Sequence, residues 1–216
     1  MSSGTRLERW RGKAVYQALL LAGVALAVSL VLALAHALTL EPIALRQAED
    51  TRRALAAVLP GTLYDNDPLA ERLTVEGEEG AAIRFYPARR DGALVGAAFE
   101  QVTRQGYGGP MRLLLAVDQQ GVLLGVRVLS HSETPGLGDK IEATGSDWIL
   151  GFEGRSLDNT PADDWAVRKD GGAFDQFTGA TITPRAVVAA VREGLVQFAT
   201  HRPELARQAP PPETSP

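Results

Sequence analysis

Apolar residues are most densely gathered in residues 14–40, a run that contains no Asp, Glu, Lys or Arg. At about 1.5 Å of rise per residue, a helix of this length measures roughly 40 Å, more than the ~30 Å hydrocarbon layer of a bilayer. Trp10 and Tyr16 lie at its N-terminal side, and aromatic residues are enriched at membrane interfaces. The pattern predicts one transmembrane helix over residues 14–40.

After the apolar run, the pattern changes to that of a mixed α and β domain. Good helix formers ended by Pro60 and Gly61 predict a helix over residues 43–59. Apolar and β-branched runs separated by turn residues predict two antiparallel hairpins and one short edge strand. The predicted strands are residues 82–87 and 93–99 in the first hairpin, 112–117 and 122–129 in the second, and 165–168 at the edge.

A last helix is predicted to begin near Thr183 and Pro184, because Thr suits the N-cap and Pro suits the first helical position. Its apolar stripe indicates one buried face. The stripe consists of Val187, Val188, Val191, Leu195 and Phe198. The sequence therefore predicts an α+β domain over residues 41–203, with antiparallel hairpins covered by helices, and a disordered tail over residues 204–216.

Charge indicates the orientation of the predicted span. Residues 1–13 contain Arg6, Arg9, Arg11 and Lys13 against Glu8 alone, so the rest of this chain of net charge −4 carries a formal charge of −7. The positive-inside rule predicts an inner-membrane protein whose N-terminus, residues 1–13, is cytoplasmic and whose domain is periplasmic. A cleaved signal peptide is the alternative, but its apolar region would span only about 7–15 residues. The acidic outer part argues against nucleic acid as a partner.

The chain has no cysteine and three histidines. The absence of cysteine excludes iron–sulfur clusters, thiolate zinc sites, disulfides and cysteine nucleophiles. The histidines are too few and too dispersed to favour a metal cluster, and we expect no metal site. Redox chemistry in this chain therefore requires an organic cofactor.

Residues 175–181, Asp-Gln-Phe-Thr-Gly-Ala-Thr, immediately precede the predicted C-terminal helix. A helix N-terminus offers unpaired N–H groups and a positive dipole, so it can receive a phosphate. Gly179 and Ala180 permit close approach, and Thr178 and Thr181 supply hydroxyl groups. Taken alone, the segment favours a tight turn before a capped helix, and only the rest of the chain points to a bound phosphate.

A second candidate loop, residues 131–140, follows the most apolar strand pair and contains Gly136 and Gly138. Its glycines expose backbone donors, and its side chains offer a carboxylate, a hydroxyl, an apolar surface and a cation. These belong to Glu133, Thr134, Leu137 and Lys140. Such a set suits a planar ring with polar edges. The alternative is a polar surface loop.

Five segments together resemble the G subunit of the Rnf (Rsx) electron-transport complex and, more distantly, the C subunit of the sodium-translocating NADH:quinone reductase. They are residues 106–109 (Gly-Tyr-Gly-Gly), 133–140 (Glu-Thr-Pro-Gly-Leu-Gly-Asp-Lys), 146–149 (Ser-Asp-Trp-Ile), 165–172 (Trp-Ala-Val-Arg-Lys-Asp-Gly-Gly) and 175–184. The motifs occur in the family's order, and the resemblance extends from residue 1 to about residue 200.

The resemblance implies an FMN-binding domain whose FMN is bound covalently, through a phosphate ester, to Thr181. It implies maturation by a flavin transferase that uses FAD and recognises a segment including Asp175 and Gly179. Residues expected to line the FMN site also include Tyr107. The family complex exchanges electrons between ferredoxin and NAD and moves sodium ions or protons, so this chain is expected to be an electron carrier with no catalytic residue of its own.

Two other functions are compatible with the residues alone. One is a stand-alone periplasmic flavin reductase, which would purify without other membrane subunits. The other is a membrane-anchored scaffold or solute-binding module that binds no flavin. Flavin absorbance and co-purifying subunits distinguish both from the expected complex subunit.

Overall fold

The computed structural model describes residues 4–76 and 82–207, with side chains of the N-terminal helix described at residues 16–34, 36, 49 and from 51 onward. The chain forms two compact units, Met1–Asp50 and Thr51–Pro216. The first helix, α1, is bounded by Gly4–Val58 and includes both the predicted membrane span and the predicted helix at residues 43–59. The sequence pattern therefore predicted helix in both places, but as two separate helices, whereas the structure has one continuous helix.

Among its described residues, the first unit contains one stretch long and apolar enough to cross a membrane, Tyr16–Leu34, at a mean hydropathy of 2.4. The side chains described along this stretch are exposed, including Leu20, Leu26 and Leu30. A helix that is apolar on all sides is stable in lipid, where no polar face is required. The predicted span over residues 14–40 is therefore supported over its central part.

The second unit is built on a five-stranded antiparallel sheet in the order β1-β2-β3-β4-β5. Its strands are β1 (Leu73–Glu76), β2 (Ala82–Arg90), β3 (Ala93–Thr103), β4 (Met111–Asp118) and β5 (Leu123–Ser130). Asp91 and Gly92 between β2 and β3 both have positive φ, 50° and 76°, as a two-residue hairpin turn of type I′ requires. Both predicted hairpins are confirmed, and β1 is an additional edge strand that the sequence pattern did not reveal.

The second long helix, α2 (Ile182–Arg207), packs against β3 and covers one face of the sheet. Phe198 of α2 stacks on Phe99 of β3 with ring centroids 6.1 Å apart. Gly194 permits this approach, since a Cβ there would lie 2.9 Å from Leu115 Cδ2 and 3.0 Å from Phe99 Cε2. The opposite face packs against Leu55, Val58 and Leu59. The predicted α+β fold, with antiparallel hairpins covered by helices, is confirmed.

A buried polar group lies on the sheet face that α1 covers. Glu100 accepts hydrogen bonds from the Tyr86 hydroxyl at 2.7 Å and from Arg112 at 2.6 Å, and Arg84 lies 3.6 Å away. Burial alone would raise the pKa of Glu100, but the hydrogen bonds and the nearby arginines outweigh it and hold that pKa below its ordinary value. Burial and the bond to Glu100 raise the pKa of Tyr86 to about 12.

Two local predictions differ from the structure. Residues 165–168 are not an edge strand: Trp165 follows the 3₁₀ turn Ala162–Asp164, and Val167 forms an isolated bridge with Phe174. The C-terminal helix continues through Arg207 with Leu205 fully buried, so residues 204–207 do not belong to a tail. Residues 208–216, the remainder of that predicted tail, lie outside the described residues.

Candidate functional site

A cavity of about 210 Å³ opens where the first turn of α2 meets three loops. Its lining includes Thr181, directly before α2, and other residues from three loops that we name by their ranges: 106–110, 131–140 and 175–181. The lining residues are Tyr107, Glu133, Thr134, Leu137, Gly138, Gly179, Ala180, Thr181, Ile182 and Thr183. Two candidate segments that are about 40 residues apart in sequence thus form one site.

Eight residues singled out from the sequence line this cavity, and four do not. Thr178 and Gly136 are exposed on the same loops, Lys140 is exposed in the 3₁₀ turn Asp139–Ile141, and Asp175 pairs with Arg168 at 3.1 Å. Ile182 and Thr183 line the cavity although they were not expected to do so. Their position one and two residues after Thr181, on a helix that begins there, is the signal that could have indicated it.

The position of Thr181 follows from the start of α2. The helix begins at Ile182, so Thr181 precedes its first turn and Thr183 lies inside that turn, fully buried. The expectation that Thr183 is the N-cap is therefore wrong: its hydroxyl donates to Glu133 Oε2 at 2.5 Å instead. Pro184 falls in the first turn, where its lack of an N–H group costs no helical hydrogen bond.

The 175–181 loop is anchored by an aromatic cluster. Phe177 is buried and its ring lies 5.1 Å from that of Trp148 in an edge-on arrangement, while Trp148 Nε1 donates to the carbonyl oxygen of Asp175 at 2.8 Å. Ser146 caps the 3₁₀ turn that carries Trp148 by accepting its backbone N–H. These contacts leave Thr178, Gly179 and Thr181 on the accessible side of the loop. Sequence reasoning identified no role for Trp148.

Gly179 has a backbone conformation that side chains disfavour. Its φ is +84°, and a Cβ there would lie 3.3 Å from Leu137 Cδ2 across the cavity. Glycine at this position therefore allows the 175–181 loop to turn into α2, and it places no side chain against Leu137 in the cavity.

The 131–140 loop is held by its own hydrogen bonds. The N–H groups of Leu137 and Gly138 both donate to the Thr134 carbonyl at 3.1 Å, and Gly136 N donates to Asp139 Oδ2 at 2.8 Å. The expectation that these backbone donors face a ligand is therefore wrong, because the loop already uses them. Beside the buried Glu133 and Gly138, the loop lines the cavity with Thr134 and with Leu137, whose side chain is apolar.

Three exposed apolar side chains surround the cavity. Tyr107 is 72% exposed, Ile182 46% and Leu137 41%. Such side chains provide a flat apolar surface against which a planar ring can pack. The cavity itself is smaller than the ~300–1,000 Å³ of pockets that enclose a whole drug-sized ligand. A larger ligand would therefore have one part bound in the cavity and the rest exposed to solvent.

An ion pair braces the helix start from outside the cavity. Arg185 donates through Nε and Nη2 to the two carboxylate oxygens of Asp170, at 2.5 and 2.8 Å. The hydrogen bonds from Arg185 lower the pKa of Asp170 below its ordinary value. The pair links the turn at residues 168–170 to the first turn of α2, in a bidentate geometry that fixes orientation.

Residues 106–196 match the family model described as an FMN-binding domain. The matched segment begins at the 106–110 loop and contains every residue that lines the cavity. The fold and the site thus define this part of the chain as a domain of the FMN-binding class.

Whole-length comparisons give the family. The chain is 52% identical over 202 residues to the G subunit of the ion-translocating oxidoreductase complex of Cereibacter sphaeroides, covering 94% of this chain and 92% of that protein. It is 53% identical over 189 residues to the Stutzerimonas stutzeri G subunit (88% and 82%), and 45% identical over 185 residues to that of Vibrio cholerae (84% and 88%). The chain belongs to the family of G subunits of the ion-translocating oxidoreductase complex.

Proposed function

We propose that this chain is the covalently flavinylated electron carrier of a membrane complex that couples electron transfer between ferredoxin and NAD to the translocation of sodium ions or protons. The observation that carries the proposal is the position of Thr181. Thr181 lines the cavity directly before a helix of 26 residues, within the sequence Asp-x-x-Thr-Gly-Ala-Thr. Family membership and the FMN-binding domain support the cofactor and the assembly.

The residues present suit FMN as the bound group. The first turn of α2 offers backbone N–H groups and a positive dipole end to a phosphate, which contributes about 0.3–1 kcal/mol at an accessible site. Gly179 lets the phosphate approach, and Leu137, Tyr107 and Ile182 offer apolar surface to the ring. FMN supplies the redox chemistry, while the chain holds the ring, orients it and limits its access to water.

Attachment requires one group transfer. The Thr181 hydroxyl forms a phosphate ester with the FMN half of FAD, the pyrophosphate bond breaks, AMP leaves, and the hydroxyl proton passes to solvent. The enzyme for this step is a flavin transferase, which would recognise the exposed side of the 175–181 loop, including Asp175 and Gly179. Because the bond is to the phosphate, the ring stays chemically unmodified and its potential is set by residues of the cavity, among them Thr134.

The domain is placed in the periplasm on one inner-membrane helix, with residues 1–13 in the cytoplasm. The basic N-terminal segment and the acidic remainder support this orientation. Since the chain has no native cysteine, single-cysteine variants can test it. Asp158→Cys, at an exposed position, should react with a membrane-impermeant maleimide in spheroplasts, and Ser3→Cys should react only after lysis. The opposite pattern contradicts the orientation.

The proposed attachment is tested by Thr181→Ala and its matched control Thr178→Ala. After co-expression with the transferase, wild-type protein and Thr178→Ala should retain flavin fluorescence in a denaturing gel, and Thr181→Ala should not. The full-length protein should also purify with other subunits from its native membrane. Fluorescent Thr181→Ala, with Thr178→Ala dark, would move the attachment to residue 178.

A further inference from the structure

The carboxylate of Glu133 is a buried connection between the segments that form the cavity. Glu133 is only 5% exposed, yet it lines the cavity. Its Oε1 accepts the N–H of Gly108 at 3.0 Å, and its Oε2 accepts the Thr183 hydroxyl at 2.5 Å. One side chain of the 131–140 loop thus binds both the 106–110 loop and the first turn of α2.

The backbone of Glu133 is fixed as well. Its N–H donates to His131 Nδ1 at 3.0 Å, and His131 Nε2 lies 2.7 Å from Glu142 Oε1. With Nδ1 accepting, the neutral His131 ring carries its proton on Nε2 and donates it to Glu142. The side chain of Glu133 therefore projects from an anchored backbone position.

Two glycines, Gly106 and Gly138, leave the space that this carboxylate occupies, and Gly108 lets its loop approach the backbone of Ser132. A Cβ on Gly106 would lie 2.8 Å from Glu133 Oε1, and one on Gly138 would lie 2.8 Å from Oε2 and 3.0 Å from Thr183 Oγ1. A Cβ on Gly108 would lie 1.9 Å from the Ser132 carbonyl oxygen. Side chains at these positions would displace the loops that the carboxylate joins.

We propose that Glu133 is a positioning residue: its carboxylate joins the 106–110 loop to the start of α2, and its buried charge lowers the midpoint potential of the flavin held in the cavity. A negative charge beside the ring opposes the addition of electrons, and burial strengthens this effect because the surrounding dielectric is low. The first part rests on the hydrogen bonds alone. The second part rests on the proposed function, since it needs a flavin in the cavity.

Substituting Glu133 by glutamine and by alanine tests the two parts of the proposal separately. Glu133→Gln keeps an oxygen for the Gly108 N–H and an amide that donates to the Thr183 hydroxyl, so it retains both contacts without the charge. Glu133→Ala loses both contacts. In full-length protein made without the transferase, Glu133→Ala should lower the Tm by about 5 °C or more, and Glu133→Gln should stay within about 2 °C of wild type.

In flavinylated protein, Glu133→Gln should shift the midpoint potential to more positive values, which a purely structural role would not do. A Glu133→Ala protein with wild-type Tm overturns the first part, and a Glu133→Gln flavin with wild-type potential overturns the second. If wild-type protein takes no flavin from the transferase, the proposed function fails, while the Tm comparison still decides the positioning role.

Two further pairs apply should Glu133→Ala not accumulate. Thr183→Val should lower the Tm, because valine replaces the hydroxyl that bonds to Glu133 by a methyl group. Thr183→Ser keeps that hydroxyl and should have a Tm closer to that of wild type. Gly138→Ala should also lower the Tm, through contact with the Glu133 side chain and the Thr183 hydroxyl and without backbone strain, because Gly138 has a φ of −88° that any residue adopts. Gly151→Ala, where a Cβ meets nothing within 4 Å, is its control. Equal Tm values for Gly138→Ala and Gly151→Ala contradict the proposal.

Discussion

The indole N–H of Trp148 should control how tightly the 175–181 loop is held. It donates to the Asp175 carbonyl at 2.8 Å, whereas the indole N–H of Trp165, in the same aromatic cluster, is buried with no partner among the described residues. Trp148→Phe and Trp165→Phe remove the same atoms from the two positions. Only the first removes a hydrogen bond to the loop.

The expected magnitude follows from that difference. A neutral hydrogen bond contributes about 0.5–1.5 kcal/mol, so Trp148→Phe should lower the free energy of opening the loop by about 1 kcal/mol. Since 1.4 kcal/mol corresponds to about tenfold, the loop should open roughly fivefold more often. Trp165→Phe leaves a small cavity but relieves an unsatisfied donor, and these two effects oppose one another.

Amide hydrogen exchange of residues 175–181 in the full-length protein, solubilised in detergent, measures the opening directly. The two variants should differ there by about fivefold, with faster exchange in Trp148→Phe. The ring contact between Trp148 and Phe177 is retained by a phenyl ring, so the loop should loosen without unfolding. Equal exchange in the two variants would refute the anchoring role of the Trp148 N–H.

Three further predictions concern the sheet, the 106–110 loop and the ring site. Because the pKa of Tyr86 is raised to about 12 from an ordinary 10.0, its bond to Glu100 stabilises the fold fully below about pH 10, and this contribution is lost towards pH 12. In thermal unfolding, Tyr86→Phe should be less stable than wild type at pH 8, and the difference should shrink as the pH rises. A difference that stays constant with pH contradicts the assignment. Gly108→Ala should destabilise the protein by about 3 kcal/mol or more in chemical denaturation, against little change for Gly151→Ala, and equal midpoints would exclude the close approach to Ser132. Thr134→Val should shift the flavin midpoint potential in a redox titration, with Thr134→Ser as its control, and an unchanged potential in Thr134→Val means that this hydroxyl does not contact the ring.

Local sequence signals predicted the elements whose causes are local. Asp91 and Gly92 adopt positive φ and close the first hairpin, and the two apolar runs predicted as the second hairpin are β4 and β5. The shared motifs indicated the family, which the whole-length relatives confirm. The membrane span followed from composition alone, since an uncharged apolar run of that length needs no tertiary contact to be recognised.

Features set by tertiary contacts were not predictable in this way. The residues at 165–168 have the composition of a strand, but Trp165 and Phe174 pack together with ring centroids 5.8 Å apart, and Ala173 and Phe174 bond to the backbone of residues 164 and 166. The edge strand β1 is only four residues long, with one residue buried. A strand this short has too little alternation to be distinguished from a loop.

The candidate site shows the same division. Local sequence located the loops and Thr181, but the bond between Thr183 and Glu133 joins residues 50 positions apart, and no local pattern predicts it. The local pattern of a threonine directly before a proline predicts instead that Thr183 caps α2. Its hydroxyl is instead committed to a carboxylate that only the folded chain brings near.

The central claim, that Thr181 carries FMN, is tested most directly by the mass of the tryptic fragment around residue 181. The measurement uses protein purified from its native membrane, because maturation there depends on the organism's own transferase. We expect a fragment heavier than its amino acids by one FMN less one water, with fragmentation placing the added mass on Thr181. A fragment with the mass of its amino acids alone, or with the added mass on Thr178, would contradict it.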